Sequence, residues 1–190
     1  MKRSEQKEKR RQEILNVGLE LFIRNGYSAT RTADIAKAVG MSEGLLFHYF
    51  ETKEKLYLTL LQIATNGKDN IFELKQMPPL SFFEETAKTI IDSITKEPFT
   101  AKLFVLMNKA QYDAALSEET RNYIMRQKDI DFSVNLIARG QKEGSIREGN
   151  PFALAITFFM AIQGIAENIA RNPEMPVPNP EWIVDIIRRK

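Results

Sequence analysis

The sequence predicts an all-α protein of nine helices in two domains, a small N-terminal three-helix domain and a larger C-terminal helical one. Three observations carry that expectation. Apolar residues recur at three- and four-residue spacing through most segments, as on the buried stripe of a helix. The breaks between segments are helix stops and starts: Asn25-Gly26, Val39-Gly40, Met77-Pro78-Pro79, Lys96-Glu97-Pro98 and Asn150-Pro151. Charge divides along the same lines. Met1 to Lys55 holds eleven Lys and Arg against eight Asp and Glu, whereas the remainder holds sixteen against seventeen.

Composition removes several function classes. With 43% hydrophobic residues over 190 positions and mixed charge, the chain is globular rather than disordered. It has no cysteine, so neither a disulfide framework nor a thiolate metal site is available. His48 is the only histidine and has no second ligand or carboxylate motif behind it. Gly140, Gly144 and Gly149 mark a loop without the GKS or GKT ending of a phosphate-binding loop. No enzyme, cofactor or metal is expected. The charged N-terminus lacks a signal-peptide core, and a cytoplasmic location is expected. The apolar run Pro151 to Ala166 is shorter than the ~20 residues of a membrane span and meets Gln163, Glu167 and Asn168, so a buried helix is expected there and no membrane partner.

Helix 1 is expected from Glu5 to Arg24, with Ile14, Val17, Leu21 and Phe22 on one stripe and Gly18 allowing close packing. It presents a basic arm of Lys2, Arg3, Lys7, Lys9, Arg10 and Arg11, suited to phosphates. Helix 2 starts at Thr32, read as its cap, with Ala33, Ile35, Ala36 and Val39 apolar and Asp34 in the first turn. Gly40 takes the turn, and Ser42 caps helix 3 over Glu43 to Phe50, where Leu45 and Leu46 are expected to pack. Helix, glycine turn and second helix over about 31–50 form a helix-turn-helix pattern, whose second helix suits a DNA major groove. Thr52 caps helix 4, from Lys53 to about Lys75, with Leu56, Leu60, Ile63, Gly67, Ile71 and Leu74 on one face.

Asn25-Gly26-Tyr27, Thr30 to Thr32, Ile35-Ala36, Val39-Gly40, Gly44 to Phe50 and Thr52 to Leu56 together resemble the DNA-binding domain of the TetR family of bacterial transcription regulators. The resemblance is dense over about residues 8–56; beyond that only length, helical content and breaks resemble the family. It implies a DNA-binding domain over residues 1–52 and a ligand-binding and dimerisation domain over 53–190. It also implies a double-stranded DNA operator, a homodimer and a small effector. It places Ser42, Glu43, Gly44, Phe47, Tyr49 and Lys53 at or near the DNA, with Thr32 on a phosphate. Tyr49 and Lys53 would contact phosphate, and Gly44 would allow close approach. Phe47 replaces the family's commoner tyrosine, leaving apolar contact with a thymine methyl.

Ser81-Phe82-Phe83-Glu84 fits a capping box for helix 5, which runs to about Thr95. Helix 6 carries Phe99 to Ala110, and Ser117 caps helix 7, which runs to about Arg139. Asn150-Pro151 starts helix 8, apolar on nearly every side to Ala170. Helix 9 carries Trp182, Ile183, Ile186 and Ile187. A helix apolar all round needs cover all round. Helices 8 and 9 are therefore expected to form a dimer interface through Phe158, Ile162, Ile165, Ile169, Trp182, Ile183 and Ile186, as a four-helix bundle across the pair. Phe83, Phe104, Met107, Gln111, Tyr112 and Phe159 are candidates for the wall of a cavity for a small apolar or aromatic ligand, with Asn108 and Gln111 for its polar contacts. The resulting reading is a ligand-responsive repressor that binds a palindrome as a dimer. The alternative is a helical ligand-binding or scaffold protein that has lost DNA.

Overall fold

The computed structural model describes residues 3–65, 76–126 and 130–190. These form ten helical segments: α1 (Arg3–Asn25), α2 (Thr32–Ala38), α3 (Glu43–Tyr49), α4 (Lys53–Thr65), α5 (Pro79–Lys96), α6 (Pro98–Ala110), α7 (Glu118–Arg126), α8 (Ile130–Glu143), α9 (Pro151–Arg171) and α10 (Pro180–Val184). Together α7 and α8 cover the single helix expected there, and residues 127–129 between them are outside the described residues. So are Lys2 and the far half of the expected helix 4, with Gly67, Ile71 and Leu74. The protein is all-α as the sequence predicts. Among the described residues, the isolated bridge between Ile146 and Arg188 is the only β pairing.

Packing divides the chain into Met1–Asn66 with Val105–Met125, and Gly67–Phe104 with Arg126–Lys190. The first unit therefore ends beyond the cut expected at residue 52 and takes in a second stretch of chain.

In the first unit α1 packs on α2 and α4, and α2 packs on α3. Its core gathers Ile14, Leu15, Leu19, Phe22, Ile35, Leu46, Leu56 and Leu60. Gly18 sits where a Cβ would lie 3.2 Å from Leu56, so the absent side chain is what admits the leucine. Phe22, Tyr27 and Tyr57 form an aromatic trio, with Tyr57 4.9 Å from Phe22 and 5.0 Å from Tyr27 between ring centres. Burial, with the nearby Asp113 and Tyr27, pushes the Tyr57 hydroxyl well above its ordinary pKa.

In the second unit α5 packs against α8, α9 and α10. A run of edge-to-face rings, Phe132–Phe82–Phe83–Phe158–Phe159, crosses this core with centroid spacings of 5.0 to 5.4 Å. The start of α5 differs from expectation. Pro79 occupies its first turn and Pro78 its N-cap, with no side-chain cap, so Ser81 lies inside the helix and makes no capping box. Proline, already fixed at helical φ, is an alternative start. The starts expected at Ser117 and Asn150 are present: Thr120 N donates to Ser117 Oγ at 3.2 Å and Ala153 N to Asn150 Oδ1 at 3.0 Å.

The interface expectation for the last two helices needs correction. Phe158, Ile162 and Ile169 are buried within the subunit, as is Ile183, while Ile165 and Ile186 pack partly against the same core. The inward stripe of α9 is Ala155, Phe158, Ile162, Ala166 and Ile169. Helix α9 is long and apolar enough to cross a membrane by length and composition alone, and that stripe packs into the second unit's core. Its opposite side shows Phe152, 55% exposed, and Met160, 53% exposed. Helix α10 has five residues, too short for a bundle helix. The chain leaves it to pair with the α8–α9 loop: Arg147 N donates to Ile187 O at 2.9 Å and Arg189 N to Ser145 O at 3.2 Å. Of the expected interface residues, Trp182 alone is exposed, at 67%.

Candidate nucleic-acid interface

The candidate surface is built by α2, the turn after it, and α3. Helix α2 ends at Ala38 with Val39 as its C-cap, and Gly40 adopts a φ of 69°, a left-handed conformation that glycine enters without steric cost. The chain reverses, and Ser42, extended at φ −74° and ψ 152°, accepts from Leu45 N at 3.2 Å. That is the predicted cap. Seven residues are too few for a helix to persist alone in water. Helix α3 is held by burial of Leu46 and, just past its end, Phe50. Each such side chain contributes roughly 1.5–3 kcal/mol.

Everything else on α3 faces outward. Glu43, Gly44, Phe47 and His48 are exposed and Tyr49 is half-buried. Leu45, expected to pack, is 45% exposed, because adjacent leucines on so short a helix cannot both point inward. A Cβ built on Gly44 would meet no heavy atom within 4 Å, so the surface is open at that point. His48 stands on the same exposed surface. Ala33, expected on the apolar side of α2, is exposed as well.

Besides Ser42, three expected DNA contacts have partners within the protein: Thr32, Glu43 and Lys53. Thr32 is the first residue of α2 rather than its cap, which is Arg31 without a side-chain cap bond. Its hydroxyl donates to the Glu43 carboxylate, joining the start of α2 to the start of α3. Lys53 donates through Nζ to Tyr27 O at 2.8 Å, Thr30 O at 3.0 Å and Ser28 O at 3.4 Å, and lies 4.3 Å from the Tyr27 ring centre. Burial lowers its pKa, and Asp113 opposes that shift. Lys53 thus binds the α1–α2 turn, a role sequence spacing does not reveal. Thr30, buried beneath, donates to Gly26 O at 2.7 Å and Leu21 O at 3.1 Å.

The basic arm is helical from Arg3 rather than a loose tail. Arg10 pairs with Glu13 at 2.6 Å and reaches Val39 O at 3.4 Å, and Arg11 lies 5.2 Å above the Phe50 ring. Both therefore also hold α1 to the following helices. Lys7 and Lys9 are exposed. Among the described residues, no group of His, Cys, Asp and Glu has metal-binding geometry.

The ligand candidates are split between the units. Phe83, Phe104 and Phe159 belong to the second unit, where Phe83 is fully buried between Phe82 and Phe158. Met107, Asn108, Gln111 and Tyr112 belong to the first. Gln111 and Tyr112 are exposed, Tyr112 at 82%, because α6 stops at Ala110 and both lie in the turn that follows. Neither lines an enclosed wall. Sequence reasoning did not single out Thr86 of α5, whose buried hydroxyl oxygen has no hydrogen-bond partner.

Comparison with known proteins bears on the same stretch. Residues 14–60 match the family described as "Bacterial regulatory proteins, tetR family". The HTH-type transcriptional regulator QacR of Staphylococcus aureus is 52% identical over 50 residues, covering 26% of this chain and 27% of that protein. The HTH-type transcriptional regulator AcrR of Shigella flexneri is 27% identical over 139 residues, covering 67% of this chain and 63% of that one. The chain therefore matches less than two thirds of either relative's length. The solved structure of AibR in complex with isovaleryl coenzyme A and operator DNA shares the fold, with a TM-score of 0.68 at 21% identity over 93% of this chain and 94% of that one.

Proposed function

We propose that the chain, whose residues 14–60 match the tetR family of bacterial regulatory proteins, is a ligand-responsive repressor that grips a palindromic operator as a dimer. The observation that carries the reading is the exposed face of α3. A capped helix, fixed by two buried residues, offers Glu43, Gly44, Leu45, Phe47 and His48 to solvent, with open space over Gly44. A stability argument alone gives no reason to expose Leu45 and Phe47 side by side on so short a helix. Groove contact does: apolar side chains meet thymine methyls, and an unobstructed backbone approaches closely. Tyr49 and the exposed Lys7 and Lys9 supply phosphate contacts.

The dimer places two copies of α3 about one turn of DNA apart, ~34–36 Å. The outward ladder of α9, Phe152, Ile156, Met160 and Gly164, is the face we assign to the partner subunit. Apolar side chains spaced by four residues, ending on a glycine with open space around it, suit a helix packed against its own copy. The effector is a small apolar or aromatic molecule held in the second unit, where the aromatic core includes Phe83 and Phe159. The unpartnered Thr86 hydroxyl there suits a ligand hydroxyl or carbonyl. Effector binding shifts the population toward a spacing of α3 that misses the operator. A coupling of ~1–3 kcal/mol weakens binding about five- to 150-fold.

The test is selection of bound fragments from random DNA, followed by affinity measurements across salt concentrations. A repressor enriches one palindrome and shows a steep negative salt slope. Enrichment of nothing would favour the helical scaffold that has lost DNA.

A further inference from the structure

We infer that Glu43 is a specificity-determining residue that reads a cytosine in each half of the operator, with Thr32 as its positioning residue. The inference rests on the DNA-binding reading above. Helix α3 reads Glu-Gly-Leu-Leu-Phe-His-Tyr and has no Arg, Lys, Asn or Gln. The side chains that bind the O6 and N7 of guanine bidentately, or the N6 and N7 of adenine, are therefore absent from it. Its apolar exposed residues, Leu45 and Phe47, suit thymine methyls. That leaves Glu43 and His48 as the exposed polar side chains of the helix, and of the two Glu43 stands at its N-terminal end, where the carboxylate oxygens accept hydrogen bonds. In the major groove the cytosine N4 amino group is a donor, whereas the adenine N6 donor lies beside the N7 acceptor, which repels a carboxylate.

Position supports the same assignment. Glu43 is the first residue of α3, directly after the Ser42 cap, and it is exposed. The N-terminal residues of a recognition helix are the ones that reach base edges. Thr32 donates its hydroxyl to Glu43 Oε1, so the side chain is held before DNA arrives and loses less rotamer freedom on binding. The neighbouring Gly44 leaves the approach open. A carboxylate on this surface is also repelled by every phosphate nearby. It raises the cost of all DNA sequences and lowers it again where a base donates to it, a way of obtaining discrimination rather than affinity.

The experiment is selection from a random DNA pool with the full-length protein and with Glu43→Gln, Glu43→Ala and Thr32→Val, each first checked for native helicity. The native protein is expected to enrich a palindrome with a fixed cytosine in each half-site. Glu43→Gln is expected to change that position to adenine, and Glu43→Ala to leave it without preference while every other position stays as it was. Discrimination at that base pair falls roughly 5- to 150-fold in Glu43→Ala, the span of one base-edge contact. Binding to unrelated DNA rises at the same time. Thr32→Val reduces discrimination at the same position and nowhere else. An unchanged preference in both Glu43 variants overturns the inference and leaves the repressor standing. Failure of the native protein to enrich any palindrome brings down the repressor reading itself, and the cytosine assignment with it.

Discussion

Met160 and Ile162 lie two residues apart on α9, and the structure predicts opposite outcomes for the same substitution. Ile162 is 2% exposed and belongs to the core stripe, whereas Met160 is 53% exposed on the other side. Ile162→Glu removes a buried aliphatic side chain, a loss of about 2–5 kcal/mol, and adds a carboxylate that has no partner there, which costs several kcal/mol more. Whole proteins are stable by only ~5–15 kcal/mol, so Ile162→Glu should leave the second unit largely unfolded. Met160→Glu, together with Phe152→Glu, changes the surface of the subunit and should alter its own stability by no more than about 0.5 kcal/mol for each site. Its effect should appear in assembly, because two carboxylates would enter an apolar contact. Circular dichroism during urea denaturation, with sedimentation equilibrium over a range of concentrations, separates the two. A folded monomer from Met160→Glu with Phe152→Glu supports the outward ladder. A folded dimer from that pair would move the interface elsewhere, and native stability in Ile162→Glu would refute the assignment of the inward stripe.

Three further perturbations bear on the first unit. Gly44→Ala has room for its methyl group and should stabilise the free protein by up to ~1 kcal/mol through helix propensity, while weakening operator binding in a gel-shift titration; unchanged binding would remove Gly44 from the contact. Lys53→Ala should lower stability in urea by ~1–3 kcal/mol without DNA present, since it strips three carbonyls of a charged donor; weaker DNA binding at unchanged stability would return Lys53 to phosphate contact alone. Hydrogen bonds from Ser117, opposed by burial and helped by Thr120, hold the Glu54 carboxyl below its ordinary pKa. Its contribution is then present above the unfolded value and lost as pH falls through the lower folded one, so Glu54→Gln should flatten the acid limb of stability against pH; an identical limb in both proteins would show that other carboxylates set it.

What could be read from the sequence was local. The Ser42, Ser117 and Asn150 caps each need only a short polar side chain three residues ahead of the amide it serves, and all three are present. The stop at Gly40 follows from backbone geometry. Contacts between distant residues were not legible. Nothing in the spacing of Thr32 and Glu43, eleven residues apart, announces that they meet, and Lys53 reaches back 23 to 26 residues for its carbonyls. The inward face of α9 was hidden for another reason. A helix apolar on every side has no periodic contrast to mark the core. The buried stripe itself mixes small and large residues, with Ala155 and Ala166 beside Phe158, Ile162 and Ile169, while Phe152 and Met160 face out.

The first unit joins the N-terminal helices to a later stretch of the chain. The stretch Val105–Met125 belongs to the same compact unit as the N-terminal helices. Three polar ties join it there. Lys109 donates to Ile23 O at 2.6 Å, near the end of α1. Glu54 of α4 accepts from Ser117 N at 3.2 Å and Thr120 Oγ1 at 2.8 Å, at the start of α7. Thr65, at the other end of α4, bonds the Tyr123 hydroxyl. Helix α4 is therefore bound to α7 at both ends.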